Sequence, residues 1–156
     1  MMPINIFSSL CMYEKHRRLA NEVYIKFPQK IKNIISKRNI HVTDIYYASK
    51  NPVSRVNNEP LGLYEKNTKS IHIIPKRDIL SDSALKGLVA HEMGHAYIDI
   101  SGNLILRLIF KIKFFRIPEH LRSHNYEEDY ADWLAKKWGF VEEINALNKE
   151  RTIHIN

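Results

Sequence analysis

Cysteine and long apolar runs are both scarce in this chain of 156 residues. The single cysteine, Cys11, cannot form an internal disulfide, which fits a reducing compartment, and no His motif lies near it to make it a nucleophile. No apolar run is long enough to span a bilayer, and residues 1–18 lack the basic region and long apolar core of a signal peptide. We therefore expect a cytoplasmic protein without a transmembrane segment.

The sequence also lacks internal repeats, low-complexity tracts and linkers rich in Pro, Gly or Ser, so residues 1–156 are expected to form a single domain. A hydrophobic content of 44% with 26% charged residues is ordinary for a globular protein with a core. Acidic residues are outnumbered, and the net charge of +7 would attract nucleic acid, anionic lipid or acidic proteins. Because the basic residues are spread along the chain without a nucleic-acid motif, we do not favour nucleic-acid binding.

The most informative stretch is residues 85–100, LKGLVAHEMGHAYIDI, which contains an HExxH motif. On a helix, His91 and His95 lie one above the other on one face, so both imidazoles can bind a single metal ion. Glu92 lies beside them and can act as the general base toward metal-activated water. The pattern therefore predicts zinc-dependent peptide-bond hydrolysis.

The sequence around this motif favours a helix. Ser81 offers an N-cap, Asp82 adds acidic charge in the first turn, and Leu80 can pack on Leu85. Residues 101–103 are expected to end the helix. Apolar residues recur between these ends at helical spacing, namely Leu85, Leu88, Val89, Ala96 and Ile100.

A catalytic zinc site needs a third protein ligand, and residues 125–140 are the best candidates to supply it. The interior of this segment is rich in helix formers and the segment ends at Gly139, so Glu128 and Asp132 share a helix face. Glu128 could reach the metal while Asp132 accepts the free N–H of a liganding histidine. Glu127 is a competitor shifted by one residue. Trp133, Leu134 and Trp138 are expected to pack this helix on the core.

HEMGH followed by EDYAD resembles the gluzincin metallopeptidases, in particular the ImmA/IrrE-like group, over about residues 61–140. The resemblance implies a small zincin-like α+β domain, with a short, mostly antiparallel sheet packed against the HExxH helix and a Glu-bearing helix. It implies that Zn²⁺ is bound by His91, His95 and Glu128, with Glu92 as the catalytic base. A protein or peptide, such as a regulatory protein, is the implied substrate.

By the same resemblance, Asp132 orients a ligand. Glu128 is favoured over Glu127 as the third ligand. Only when the family's glutamate is aligned with Glu128 do Ala131 and Asp132 fall where the family has a small residue followed by a polar one. An oxyanion donor is also expected, with candidates Tyr97, His120, His124 and Tyr126.

Two other functions stay open. A SprT-like, DNA-associated zinc protease would take a third histidine as ligand, for which His120 and His124 are candidates, although the Gly-His-Gly surroundings of that family are missing. A non-catalytic zinc-binding regulatory module would keep the site without turnover, although the intact HExxH favours catalysis.

The remaining chain predicts a scaffold. Residues 9–37 are expected to form a helix broken at Pro28, with His16 on its surface, and residues 40–48 a strand. Two short runs, 61–65 and 70–74, predict a hairpin, with Pro75 near a sheet edge. By the resemblance, residues 71–74 would hold an extended substrate by strand addition, with His72 pointing into the cleft or to solvent. A short helix at 140–149 and an alternating tail at 151–156 follow.

Residues 104–117 give an ambiguous signal. Their even positions are apolar from Leu104 to Phe114, which fits a strand, but the length of the run and its helix formers also allow a helix. We expect this segment to cover the core behind the HExxH helix. The alternative is a hydrophobic, basic surface for a partner or a membrane interface.

Overall fold

A computed structural model describes residues 14–43, 61–73, 80–101, 104–116 and 126–153. In chain order they form helices α1 (Glu14–Lys26) and α2 (Gln29–Arg38), strands β1 (His41–Thr43), β2 (Gly62–Glu65) and β3 (Ser70–Ile73), and helices α3 (Asp82–Ser101), α4 (Leu104–Phe115), α5 (Tyr126–Lys137) and α6 (Val141–Ile153). The fold class is α+β, as predicted. None of the described helices combines the length and apolar character that crossing a membrane requires.

Helices α1 and α2 are the two halves of the predicted N-terminal helix, divided at Pro28. Proline lacks an N–H and disfavours a helical conformation of the preceding residue, so α1 ends before it. The prediction that His16 lies on the surface is wrong, because its exposed fraction is 2%. His16 precedes Leu19 and Val23 at helical spacing and continues their buried face. The predicted first turn, residues 9–13, lies outside the described residues.

The described strands form a mixed sheet in the order β1–β3–β2. β2 and β3 make the predicted antiparallel hairpin, whereas β1 is parallel to β3. The expectation of a mostly antiparallel sheet is therefore wrong for β1, whose pairing with β3 is a long-range contact without a local sequence signal. Of the predicted strand at 40–48, the structure describes and confirms His41–Thr43. Pro75 lies outside the described residues.

β3 is the central strand, which overturns the prediction that residues 71–74 bind an extended substrate by strand addition. β3 is already paired with β1 on one side and β2 on the other, so residues 71–73 cannot accept a further strand. The His72 side chain is largely buried, with its Nε2 lying 3.2 Å from Oε2 of Glu65 on β2. Among the described strands, β2 stands at one end of the sheet.

Helix α3 packs against α1, α5, α6 and β2. It begins as predicted, since the Ser81 hydroxyl accepts the Ala84 N–H at 3.2 Å and Leu80 is buried. Buried side chains surround the helix rather than forming a single stripe. A Cβ at Gly87 would lie 2.3 Å from the carbonyl oxygen of Glu143, so glycine allows α6 to pack this closely. α3 is therefore the element around which α1, α5 and α6 assemble.

The ambiguous segment at 104–117 is helical from Leu104 to Phe115. The alternation that resembled a strand is the result of apolar residues at most positions, which supply a helix face equally well. α4 packs on α5 through Phe110 and Phe114, and most of its other large apolar side chains are exposed. The prediction that this segment covers the core is therefore wrong for most of its surface.

Helix α5 ends as predicted before Gly139, whose φ of 97° is a conformation that glycine adopts without strain. Leu134 is buried and Trp138 is partly buried against the core, but Trp133 is 38% exposed and packs less than predicted. Helix α6 extends beyond the predicted 140–149. Residues 151–153 are therefore helical rather than part of an alternating tail.

Candidate metal centre

Two helices bring the site together: α3 carries His91 and His95, and α5 carries Glu128. The two imidazole rings are one helical turn apart on one face, with 4.8 Å between their centroids. α5 approaches closely because a glycine faces it, and a Cβ at Gly94 would lie 2.8 Å from the Cα of Ala131. The glycine of HEMGH therefore sets the distance between the histidines and the glutamate.

The three side chains converge. Nε2 of His91 lies 3.1 Å from Nε2 of His95 and 3.1 Å from Oε2 of Glu128, and Nε2 of His95 lies 3.2 Å from Oε1 of Glu128. A tetrahedral zinc ion with ligand bonds of about 2.0–2.1 Å holds its ligand atoms about 3.4 Å apart. The spacing and the donor atoms suit a small divalent ion, so these residues form a group that could hold a metal.

Asp132 holds His91 from the other side of the ring. Its Oδ1 lies 2.6 Å from Nδ1 of His91, and its Oδ2 accepts Nδ2–H of Asn148 at 2.9 Å. Burial raises the pKa of Asp132, but the hydrogen bonds with His91 and Asn148 outweigh burial and leave this pKa below its usual value. The carboxylate is therefore ionised and fixes the His91 ring with Nε2 directed at His95 and Glu128.

The protonation of His91 is set by these two carboxylates. Burial lowers the pKa of His91, but hydrogen bonds with Asp132 and Glu128 raise it to about 9. Hydrogen bonds with His91 and His95 lower the pKa of Glu128, so this carboxylate is ionised at neutral pH. In the metal-free protein, His91 is therefore protonated and lies between two carboxylates. A metal cation can take the place of that proton and balance the negative charges of Asp132 and Glu128.

One side of the group is open. The His91 side chain is 1% exposed, whereas those of His95 and Glu128 are 20% and 35% exposed. A catalytic zinc site combines three protein ligands with one accessible position, and this distribution of exposure has that form. Solvent can therefore reach the group from the side of His95 and Glu128.

Glu92 is buried beside the histidines, with 5% of its surface exposed. It lies under the start of β2, since a Cβ at Gly62 would be 3.2 Å from Cγ of Glu92. Burial raises the pKa of Glu92, and the nearby charges of His91 and His95 lower it without reversing the shift. A carboxyl group with a raised pKa can exchange a proton closer to neutral pH than an ordinary glutamate.

The other candidates from the sequence have different surroundings. Glu128 is the carboxylate that meets both histidines, whereas Glu127 accepts a hydrogen bond from the Tyr126 hydroxyl at 3.0 Å. The Tyr97 ring packs edge-on against an aromatic ring of the core. Neither tyrosine is thereby placed as an oxyanion donor, and that role stays unassigned. Outside the described residues are His120 and His124.

Sequence reasoning missed two residues of α6. Asn148 donates a hydrogen bond to Asp132, and the positive charge of Arg151 opposes the rise that burial causes in the pKa of Asp132 and of Glu92. The two residues are three apart, so they share a helix face. The sequence pattern that could have indicated them is a pair of polar residues on the same helix face as Ile144 and Leu147, which are fully buried.

Comparison with known proteins gives no matching family model, no matching curated protein and no matching solved structure. The chemistry of the site therefore rests on its own geometry. Two imidazole nitrogens and a carboxylate oxygen lie within 4.8 Å of one another, with a second carboxylate fixing one of the rings.

Proposed function

We propose that this protein is a zinc metallopeptidase of the gluzincin type, acting as an endopeptidase, with zinc bound by His91, His95 and Glu128. The observation that carries the proposal is the convergence of these three side chains at 3.1–3.2 Å, with Asp132 hydrogen-bonded to the outer nitrogen of His91. A similarity to the ImmA/IrrE-like group, in the order HEMGH then EDYAD, agrees with this arrangement.

Zinc is the metal that we propose for this site. Two imidazole nitrogens with one carboxylate oxygen make the His₂Glu set of several catalytic zinc sites, whereas Mg²⁺ and Ca²⁺ prefer oxygen ligands throughout. When bound, zinc would supply Lewis-acid polarisation of a peptide carbonyl and would lower the pKa of water to about 7. Asp132 would keep the His91 ring in one orientation, which strengthens the ligand.

Glu92 would act as the general base. It is held between the histidine face of α3 and the start of β2, and burial raises its pKa. In this role Glu92 accepts a proton from the attacking water and passes it to the leaving amine. The low exposure of Glu92 excludes bulk water, so the proton is transferred within the site.

An extended peptide would lie along β2. Because β3 is paired on both sides, β2 is the strand beside α3 that keeps an edge without a partner among the described strands. Tyr64 on β2 donates its hydroxyl to Asp99 on α3 at 3.2 Å, which fixes the strand relative to the histidine helix. We propose that main-chain hydrogen bonds to β2 place the scissile bond near Glu92. A cytoplasmic location and a regulatory protein as the natural substrate stay predictions.

The test is hydrolysis of an unfolded general substrate, such as β-casein, by the zinc-loaded protein, followed by mass spectrometry. We expect cleavage by the wild type and a loss of about 10²–10⁴-fold in Glu92→Gln, because general acid–base catalysis contributes that much. The variant should keep its zinc. Glu127→Gln is the matched control, since it removes a neighbouring carboxylate, and it should cleave normally.

The outcomes separate the rival functions. Normal cleavage by Glu92→Gln would contradict the assignment of the base. Stoichiometric zinc without cleavage of casein or of a peptide library by the wild type would instead favour a non-catalytic zinc-binding regulatory module. Cleavage that requires added DNA would favour the SprT-like alternative.

A further inference from the structure

Helix α4 exposes a continuous apolar surface. Six of its large apolar side chains are each 45% or more exposed, and Leu104 and Ile105 reach 73% and 72%. This surface, called here the α4 apolar face, consists of Leu104, Ile105, Leu108, Ile109, Ile112 and Phe115. Scattered exposed apolar residues are normal on a protein surface, but six on one short helix mark an interaction site.

The face is a single broad arc. At about 100° per residue, its six side chains fall within about 140° of the helix circumference. The opposite side of α4 packs on α5, where Phe110 stacks on Tyr130 at 4.8 Å between centroids and Phe114 contacts Tyr126 at 6.4 Å. The protein therefore covers one side of α4 and presents the other to its surroundings.

Lysines flank the arc, and acidic residues are missing from the segment. Residues 104–116 contain two lysines and two arginines but no acidic residue. By the same helical geometry, Lys111 lies just beyond one border of the arc and Lys113 beyond the other. A lysine at such a border can lay its apolar stem along the face and direct its ammonium group to an anionic layer above. Lys113 is placed to do so, whereas Nζ of Lys111 lies over the Tyr126 ring of α5, 5.6 Å from its centroid.

We propose that α4 is an interfacial helix that docks the protein on an anionic lipid bilayer. The wide aliphatic and aromatic arc would contact the acyl chains of the bilayer, and Lys113 at its border would contact the phosphate headgroups. A protein partner fits less well, because lysine is depleted from protein–protein interfaces and a helix-binding groove contacts a narrower stripe. The net charge of +7 adds long-range attraction to the same surface.

Docking would link the metal centre to the bilayer through two packed helices, because α4 packs on α5, the helix that carries Glu128. The binding surface shares no residue with the His-His-Glu group. Bilayer binding is therefore independent of the proposed peptidase activity and can be tested in its absence.

The experiment is co-sedimentation of the chain of 156 residues with vesicles of phosphatidylcholine alone or of equimolar phosphatidylcholine and phosphatidylglycerol. We expect binding to the anionic vesicles, weaker binding to the neutral ones, and loss of binding as salt is raised. The variant Phe115→Trp carries a reporter on the face itself, since Phe115 is 54% exposed, and the wild type supplies the background of the two native tryptophans. The added fluorescence of this variant should shift to shorter wavelength on binding and should be quenched by brominated acyl chains.

The variant Leu108→Asn/Ile112→Asn tests the face itself. Both side chains are about half exposed, so the fold should be retained, and affinity for anionic vesicles should fall by about tenfold or more. Lys113→Gln should weaken binding by about fivefold, because it removes one charge near the headgroups. The matched control is Ile25→Asn, which changes an isoleucine of α1 that is 71% exposed, and it should bind as the wild type does.

Three results would overturn the proposal. The first is no binding to either vesicle. The second is equal binding by the wild type and Leu108→Asn/Ile112→Asn, which would assign the attraction to charge elsewhere on the chain. The third is a wild-type dimer, seen by size exclusion without vesicles, that is lost in Leu108→Asn/Ile112→Asn, together with no vesicle binding by either protein. The face would then pack against a second copy of the chain.

Discussion

Helices α3 and α4 follow one another in the chain and invert the usual relation between polarity and burial. α3 buries His91 and Glu92 at 1% and 5% exposure, whereas α4 exposes isoleucine and leucine side chains at up to 73%. Both helices are rich in apolar residues. The difference lies in their neighbours, since α3 is enclosed by α1, α5, α6 and β2, and α4 has α5 as its main packing partner.

This contrast shows where folding and function conflict in the molecule. A buried charged group costs free energy unless it is paired, and in α3 that cost is offset by Glu128 and by the Asp132–Asn148 pair. An exposed apolar face forgoes the free energy that burial would supply, and α4 leaves six large apolar side chains exposed in this way. Each departure from the simple rule coincides with one of the two proposals: the group that could hold a metal ion includes two residues of α3, and the proposed bilayer-binding surface lies on α4.

The largest expected effect compares the same substitution in the two helices. Leu88 is fully buried at 0% exposure in α3, and Leu108 is 58% exposed in α4. Leu88→Ala should lower the free energy of unfolding by about 2–5 kcal/mol, because it leaves a cavity. Leu108→Ala should change it by no more than about 0.5 kcal/mol. Urea denaturation measures both, and equal losses would contradict the described exposure of α4.

The contact between α3 and α5 can be loosened at Gly94. A Cβ there would meet the Ala131 backbone at 2.8 Å, so Gly94→Ala should separate the helices and destabilise the fold by about 1–3 kcal/mol. Zinc affinity should fall with it, because Glu128 moves away from the histidines. Gly87→Ala pushes on α6 instead. If the two variants lose similar stability, Gly87→Ala should bind zinc more tightly than Gly94→Ala. Weaker zinc binding by Gly87→Ala would mean that Gly94 does not set the geometry of the site.

The support of His91 can be removed without touching a proposed ligand. Asp132→Ala should weaken zinc binding by about 10–100-fold, since second partners of liganding histidines have effects of that size. Asp129→Ala, on the same helix, should bind zinc as the wild type does. Competition with a fluorescent zinc chelator measures the affinity. Equal affinities in the two variants would show that the bond between Asp132 and His91 is not used to hold the ring.

The smallest effect concerns the link between β2 and α3. Burial, the charge of Asp99 and the hydrogen bond to it raise the pKa of Tyr64 from its usual value of 10 to about 12. A raised pKa means that this link contributes fully below pH 10 and is lost as the pH rises through about 12. The contribution of Tyr64 to tyrosine absorbance, identified by its loss in Tyr64→Phe, should therefore titrate near pH 12 in the folded protein. Asp99→Asn should lower the pKa of Tyr64 part of the way toward its usual value, and an unchanged titration would contradict the contact.

The parts of the fold with local signals were predictable from the sequence. Ser81 marks the start of α3, Gly139 the end of α5, and the turn at 66–69 the hairpin. These local features depend on a few neighbouring residues, so one sequence is enough to predict them. The approach of Glu128 to the histidines is a long-range contact, and it was expected because of the resemblance to a known family.

Features that depend on distant parts of the chain were missed. The parallel pairing of β1 with β3 joins segments that local patterns cannot connect, and so does the bond from Asn148 to Asp132. His16 has charged neighbours in sequence, yet its helix face is buried. In α4 the apolar content predicted burial, but burial depends on which elements pack against a helix.

The central claim is that zinc binds to His91, His95 and Glu128. Its most direct test is zinc content by elemental analysis of the wild type beside Glu128→Ala, Glu127→Ala and His124→Ala, all prepared in metal-replete medium and checked for folding by circular dichroism. We predict one zinc per chain in the wild type, Glu127→Ala and His124→Ala, and loss of zinc in Glu128→Ala. Zinc retained in Glu128→Ala but lost in His124→Ala would contradict the account and favour a three-histidine site.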